Sequence, residues 1–380
     1  MTAAPTSFLE HLREDARQRF SELGYPTTHD EDWRFTSVAP IARATFVPVS
    51  RTGLLACPVP GVEIEKLSES NQIEAHLARY ANYQTNAFVA LNTANFEDGL
   101  LIRIAKGAVI EQPIQLVFES SANGKATVAH PRTLILADAD SHATIVETYR
   151  GGGAYFTNAV TELVAGDNAV IDHYKLQTES PQAFHVATLQ VQVGRGANFR
   201  SHSISFGGAL VRNDINAVLS EGCECTLNGL YLVSGKQHID NHTSIDHAKP
   251  HAASHELYKG ILDGQSSAVF SGKILVRKDA QKTDAKQTNK NLVLSEEAVI
   301  NTKPELQIHA DDVRCTHGAT IGQLDPEAIF YLQSRGIGLA EARNLLIYAF
   351  ARDIVDRIKV APLREELERT LLEKLHANRH

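Results

Sequence analysis

The sequence predicts a mainly β protein, a β-solenoid core flanked by N- and C-terminal α-helical segments, and three observations predict it. A phrase made of turn formers, a small residue and alternating β-branched residues recurs through residues 100–320. No amphipathic run of about ten residues separates those strands, so a βαβ reading fails. Apolar stripes at helical spacing stand outside this stretch, toward the two ends.

The phrase is read at Ala108, Ala143, Ala169, Ala197, Cys225, Ala268, Ala298 and Ala319, with an irregular period of about 28 residues. Short strands punctuated by Gly, Asp and Asn at that period read as coils that bury each other's inward faces. A β-sandwich would also give short alternating strands, but its turn signals come about every 8–12 residues without a superposed longer phrase. At the N-terminal end Phe8, Leu9, Leu12, Ala16, Phe20 and Leu23 form one stripe of a helix that Gly24 and Pro26 terminate. Ile73, Leu77 and Tyr80 suggest a second helix. At the other end Leu339, Ala342, Leu346, Ala349, Phe350, Ile354 and Ile358 keep helical spacing up to Pro362, and Leu363, Leu367, Leu371 and Leu375 form a further stripe. The expected organisation is a helical domain over 1–95, a β core over 96–325 and a helical domain over 326–380, with helices capping the solenoid against edge-to-edge growth.

With 380 residues the chain buries a core without staples, and its length suits two to three domains or one elongated one. The formal net charge of −8 and the lack of a basic tract argue against a nucleic-acid partner. No apolar run approaches the roughly 18 residues of a membrane span; residues 345–351 are short and flanked by Arg343 and Arg352. Residues 1–10 lack the pattern of a secretory signal, so a soluble cytoplasmic protein is expected. Cys57, Cys223, Cys225 and Cys315 are too scattered for a disulfide framework and are expected as reduced thiols.

Four constellations are candidates for chemistry. Ser271-Gly272-Lys273-Ile274 lacks the remainder of a P-loop, so ATP, if it matters, is bound by another chain. His238, His242, His247, His251 and His255 cluster with Asp240, Asp246 and Glu256, yet Lys259 stands where a zincin motif needs its second His. These imidazoles read as polar groups satisfied along a strand-loop-strand face, with metal receipt as the sharper alternative. Cys223 and Cys225 fall on one side of a strand and read as small apolar fillers of a coil. Cys315-Thr316-His317 would set a thiolate and an imidazole side by side, donors suited to iron or zinc. Against that stands a buried Cys with a hydrogen-bonded His. Two donors do not close a site, so further ligands would come from elsewhere, such as a second chain.

The run 308–325, with Asp311, Asp312, Cys315 and His317, continues through Phe330, Tyr331 and Gly336 and resembles the signature of the SufB/SufD family of iron–sulfur cluster assembly proteins. Phe270-Ser271-Gly272-Lys273, residues 280–295, Ala90-Leu91-Asn92-Thr93-Ala94 and Glu31-Asp32-Trp33-Arg34-Phe35 extend the likeness over nearly the whole chain, closer to its SufD branch than to its SufB branch. The resemblance implies a right-handed parallel β-helix between helical domains, and a scaffold without catalytic activity of its own. It implies pairing with SufB, and binding of the ATPase SufC through the C-terminal helical region, where Tyr348, Phe350 and Arg352 are the expected contacts. It implies transient iron or an iron–sulfur cluster at the SufB–SufD interface, with His317 as first ligand, Cys315 as second and nothing held stably by the chain alone. Support of iron acquisition, and a homodimer of the isolated chain, belong to the same expectation. Two other functions are carried as alternatives: a β-helical carbohydrate-active enzyme, for which adjacent Asp311 and Asp312 make a poor acid/base pair, and a metallohydrolase built on the His238 to His255 cluster.

Overall fold

The computed structural model describes residues 5–49, 55–56, 59–122 and 124–377; Cys57 lies outside them. Two sheets, of eleven and nine strands, face each other and are built by a chain that alternates between them, one strand in each per coil. Strands of the coils pair in parallel with the strand one coil on, for example Val170–Thr178 with Asn198–Ser205 and Phe184–Val193 with Leu210–Leu219. The solenoid predicted from the period is therefore present. Its irregularity has a simple cause. The marks at Ala143 and Cys225 lie in strands of the nine-stranded sheet, whereas Ala268 lies in a strand of the eleven-stranded sheet and Ala298 just precedes one. The coil passing through Ala253–Leu262 carries no phrase of its own and was skipped.

One corner of each coil is a left-handed residue, at Asp140, Asn168, Gly196, Gly222, His251 and Lys282 in turn. Each donates its backbone N–H to a carbonyl of the next coil: Asp140 to Asp167, Asn168 to Arg195, Gly196 to Glu221, Gly222 to Pro250, His251 to Gln281 and Lys282 to Asp312. Asn, Asp and Gly are the residues that take this conformation at least cost, which is why they punctuate the phrase.

Among the described residues six α-helices accompany the solenoid: α1 (Pro5–Leu23), α2 (Ala39–Arg43), α3 (Ala87–Asn95), α4 (Pro326–Ser334), α5 (Leu339–Val355) and α6 (Ala361–Ala377). The side chain of Asn86 caps α3 by accepting from the N–H groups of Phe88 and Val89, and Asp325 with Pro326 starts α4 in the same manner. The helix expected at Ile73, Leu77 and Tyr80 is absent. Only a 3-10 turn, Ile73–Ala75, forms, and Ala78 turns left-handed. The reason is Glu162, a buried solenoid carboxylate that accepts from the N–H groups of Ala78, Tyr80 and Ala81 and so takes donors a helix would use. Arg132, also buried, pairs with the same carboxylate.

The helical parts lie on the sides of the solenoid, which corrects the expectation of end caps. Val38, Ile41 and Phe88 pack with Phe156, Val186 and Leu210 on the outer face of the eleven-stranded sheet. Ile347, Ala351, Ile354 and Ile358, followed by Leu363, Leu367 and Leu371, share one apolar cluster with Leu176, Ile204, Phe206, Leu230, Leu232, Ile261 and Leu292 on the outer face of the nine-stranded sheet. Those outward apolar side chains demand a cover, and the helices supply it. The last coil, Val299–Ile308 and Arg314–Gly322, ends both sheets, and no further strand pairs with it among the described residues.

Candidate functional site

Because side chains alternate and coils stack in register, each inward position of the nine-stranded sheet becomes a column along the bore. One column runs Ile145, His173, Ser201, Leu227, Glu256, Gln287 and His317. Beside it run Ala143, Ile171, Phe199, Cys225, Ser254, Ala285 and Cys315. Cys315 and His317 are thus brought together on the inward face of the final strand, as the alternation argument required. With no coil beyond them, His317 is exposed and Cys315 half-buried against Ala285 and Ala310. Burial, with Asp284 adding to it, pushes the Cys315 thiol up. Asp311 and Asp312 sit in the exposed turn before the strand, where Asp312 pairs with Lys282.

Beneath His317 the bore is polar and closed. Gln287 donates from its amide to Oε2 of the fully buried Glu256 at 2.7 Å. Burial pushes the Glu256 carboxyl up to about 7, offset only in part by Thr243 and Gln287. In the coil of Glu256 and the one below it, Tyr258 and Tyr231 fill the bore, each lying against a glycine of the other coil: a Cβ on Gly229 would sit 2.2 Å from the Tyr258 ring, and one on Gly260 2.3 Å from Tyr231. Below this plug a second polar group holds Lys175, Glu147, Glu179, His173 and His185 out of water. Burial brings Lys175 down to about 8 although Glu147, Glu179 and Asp214 oppose it. For Glu147, burial works upward, but His173, Thr161 and Lys175 more than reverse it and leave the carboxyl below its ordinary value.

The five imidazoles of residues 238–255 disperse. His238 is held between Thr36 and Ser267, His242 rests on Asp240 at 3.0 Å, His247 is buried against Ser254, His251 is a corner residue and His255 is exposed on the other sheet. Among the described residues no three His, Cys, Asp or Glu side chains converge as a metal site. Asp240 instead anchors the N-terminal segment: it accepts from Thr36 and pairs with Arg212, whose guanidinium lies 4.2 Å from the Trp33 ring centre. Arg212 and His242 drive that carboxyl far below its ordinary range against the opposing effect of burial. Cys223 and Cys225 are buried, and burial raises both thiols, Cys223 to about 11.

On α5, Tyr348 and Phe350 are partly buried against the apolar cluster that the helices share with the solenoid. Lys259 donates to the Phe350 carbonyl at 2.9 Å, lies over its ring and pairs with Asp353. Arg352 is exposed and paired with Asp356. The outward apolar surface of this region is elsewhere, at Phe330 (73% exposed), Tyr331 (57%), Leu339 (53%) and Leu345 (44%). In the sequence Phe330 and Tyr331 stand only as part of the family signature. The Glu256–Gln287 pair was missed because its partners lie 31 residues apart, and only the register joins them.

The SUF-system SufBD core-domain family model matches residues 118–350, and the SufBD N-terminal-region model matches residues 56–116. A SufBD family iron–sulfur cluster assembly protein of Synechocystis is 34% identical over 95% of this chain and 90% of its own length. The iron–sulfur cluster assembly protein SufD of Escherichia coli is 28% identical over 92% of this chain and 89% of its own. The chloroplastic protein ABCI7 of Arabidopsis thaliana is 29% identical over 96% and 86%. With two family models side by side over most of its length, and a solenoid whose last coil presents Cys315 and His317 together, the chain belongs to the SufBD family of SUF-system iron–sulfur cluster assembly proteins.

Proposed function

We propose that this chain is a non-catalytic scaffold subunit that pairs with SufB and with the ATPase SufC, and that its last coil lends His317 and Cys315 to iron or a nascent cluster held between two chains. The observation that carries the reading is the open end itself: a thiol and an imidazole share the inward face of the last strand, and among the described residues no further strand covers them. An unpaired strand edge is a template for a strand of another chain, and Val299, Ile308 and Ile321 beside it are exposed apolar side chains. Two donors leave a cluster half-ligated, so the rest would come from SufB. The same edge would accept a second copy of this chain when SufB is absent.

SufC would supply nucleotide turnover, for which this chain has no phosphate cradle. The exposed Phe330, Tyr331, Leu339 and Leu345 support docking on α4 and the start of α5 in preference to Tyr348 and Phe350. No described helix is long and apolar enough to cross a membrane, and the described cysteines, Cys223, Cys225 and Cys315, form no disulfide, as a cytoplasmic setting would have it.

The test is co-purification with SufB and SufC followed by anaerobic cluster reconstitution with and without His317→Ala. The expected result is an intact assembly whose cluster yield falls severalfold. An unchanged yield removes the ligand role.

A further inference from the structure

The side chain one coil beneath His317 leaves a buried acceptor unmade. Gln287 is 1% exposed and shares an inward column with Glu256 on one side and His317 on the other. Its amide nitrogen is committed to Glu256, which fixes which end of the amide is which and turns the oxygen away from that carboxyl. That oxygen is buried and has no hydrogen-bond partner among the described residues. A buried acceptor left unmade costs about 1–3 kcal/mol, so its orientation calls for a donor.

The opposite wall is shaped around the same amide. A Cβ on Gly272 would come within 2.1 Å of Gln287 Nε2, so glycine at 272 leaves the room in which the amide lies. The Ser271-Gly272-Lys273 stretch that failed as a P-loop thereby acquires a structural purpose. Adjacent strands stand about 4.8 Å apart, within reach of a glutamine side chain, and the next polar residue along the column toward the open end is His317.

We propose that Gln287, held by Glu256, is the positioning residue of His317: the two side chains are not bonded in the structure, and the imidazole turns so that the free amide oxygen accepts its inner N–H, leaving the other ring nitrogen facing out of the open end. An oxygen acceptor behind an imidazole sets its tautomer and ring orientation, and ligating histidines depend on such a partner. The inference rests on the reading of His317 as a ligand for arriving metal, and the test separates the two.

Long-range 1H–15N correlation spectra of the labelled full chain report the tautomer of each imidazole, and His317→Ala assigns the signal. In the wild-type chain one tautomer exceeds the other by tenfold or more. Gln287→Leu brings the two toward equal populations and weakens anaerobic Co(II) binding about 10-fold. Where Gln287→Leu does not fold, Gln287→Asn, which keeps the amide but is too short to bridge, takes its place with the same expected result. A folded variant at 287 with an unchanged tautomer ratio overturns the proposal. If His317→Ala binds Co(II) like wild type while the 287 variant still shifts the tautomer, the ligand reading falls and the positioning role stands. If His317→Ala loses Co(II) and the 287 variant alters neither readout, the ligand reading stands and the positioning role falls.

Discussion

A carboxyl taken fully out of water keeps its proton longer than one in an unfolded chain, and Glu256 is such a group, shifted from 4.5 to about 7. Its folded pKa is raised, so the stability that goes with its neutral form is whole below about pH 4.5 and is lost as the pH rises through 7. The shift corresponds to about 3 kcal/mol. Glu256→Gln keeps the shape without the charge, so between about pH 5 and pH 8 the unfolding free energy of the wild-type chain in urea should fall relative to that of the variant by up to about that amount. Parallel pH profiles for the two proteins would contradict this. In the sequence Glu256 stands among histidines and invites a reading as part of their cluster. Alternation sends His255 outward and Glu256 inward, and the identity of its partner was fixed 31 residues away.

At the scale of elements, the strands follow from period-2 patterning, and the corners from residues that tolerate a left-handed backbone. What the pattern could not reveal is how neighbouring coils share volume. Gly229 with Tyr258 and Gly260 with Tyr231 are reciprocal pairs across one register step, and a Cβ at either glycine collides with a ring. Gly229→Ala should therefore destabilise the solenoid by roughly 1–3 kcal/mol in chemical denaturation. Adding Tyr258→Leu should recover part of that loss in a double-mutant cycle, because the smaller side chain vacates the space. A Gly229→Ala protein as stable as wild type would mean that the rings shift freely and the plug is not tightly packed. The missing helix at Ile73, Leu77 and Tyr80 belongs to the same scale: its apolar spacing was genuine, and Ile73 and Leu77 are buried, but a carboxylate from the solenoid outbid the helix for its N–H groups.

For the whole molecule, the placement of the helices decides where partners can bind. Among the described residues they cover the outer faces of both sheets and leave the last coil open, so the exposed ends of the backbone ladders share one surface with His317 and Cys315, the proposed donors. Ile321→Lys puts a charge on that edge, where its 55% exposed side chain packs against little. It should change stability by no more than about 0.5 kcal/mol while abolishing co-purification with SufB. Phe330→Asp, on α4, should release SufC and leave the SufB pairing intact. If Ile321→Lys retains SufB, or Phe330→Asp retains SufC, the corresponding surface is misassigned.

By itself the sequence determined the alternation, the coil period, the terminal apolar stripes and the adjacency of Cys315 and His317, all of which arise from backbone geometry within a few residues. Tertiary structure alone decided that the helices lie on faces instead of ends, that the five imidazoles part company, and that Glu256, Gln287 and His317 stand in one file. Those outcomes depend on lateral register between strands about thirty residues apart, and short-range patterning does not encode which side chain faces which across that distance.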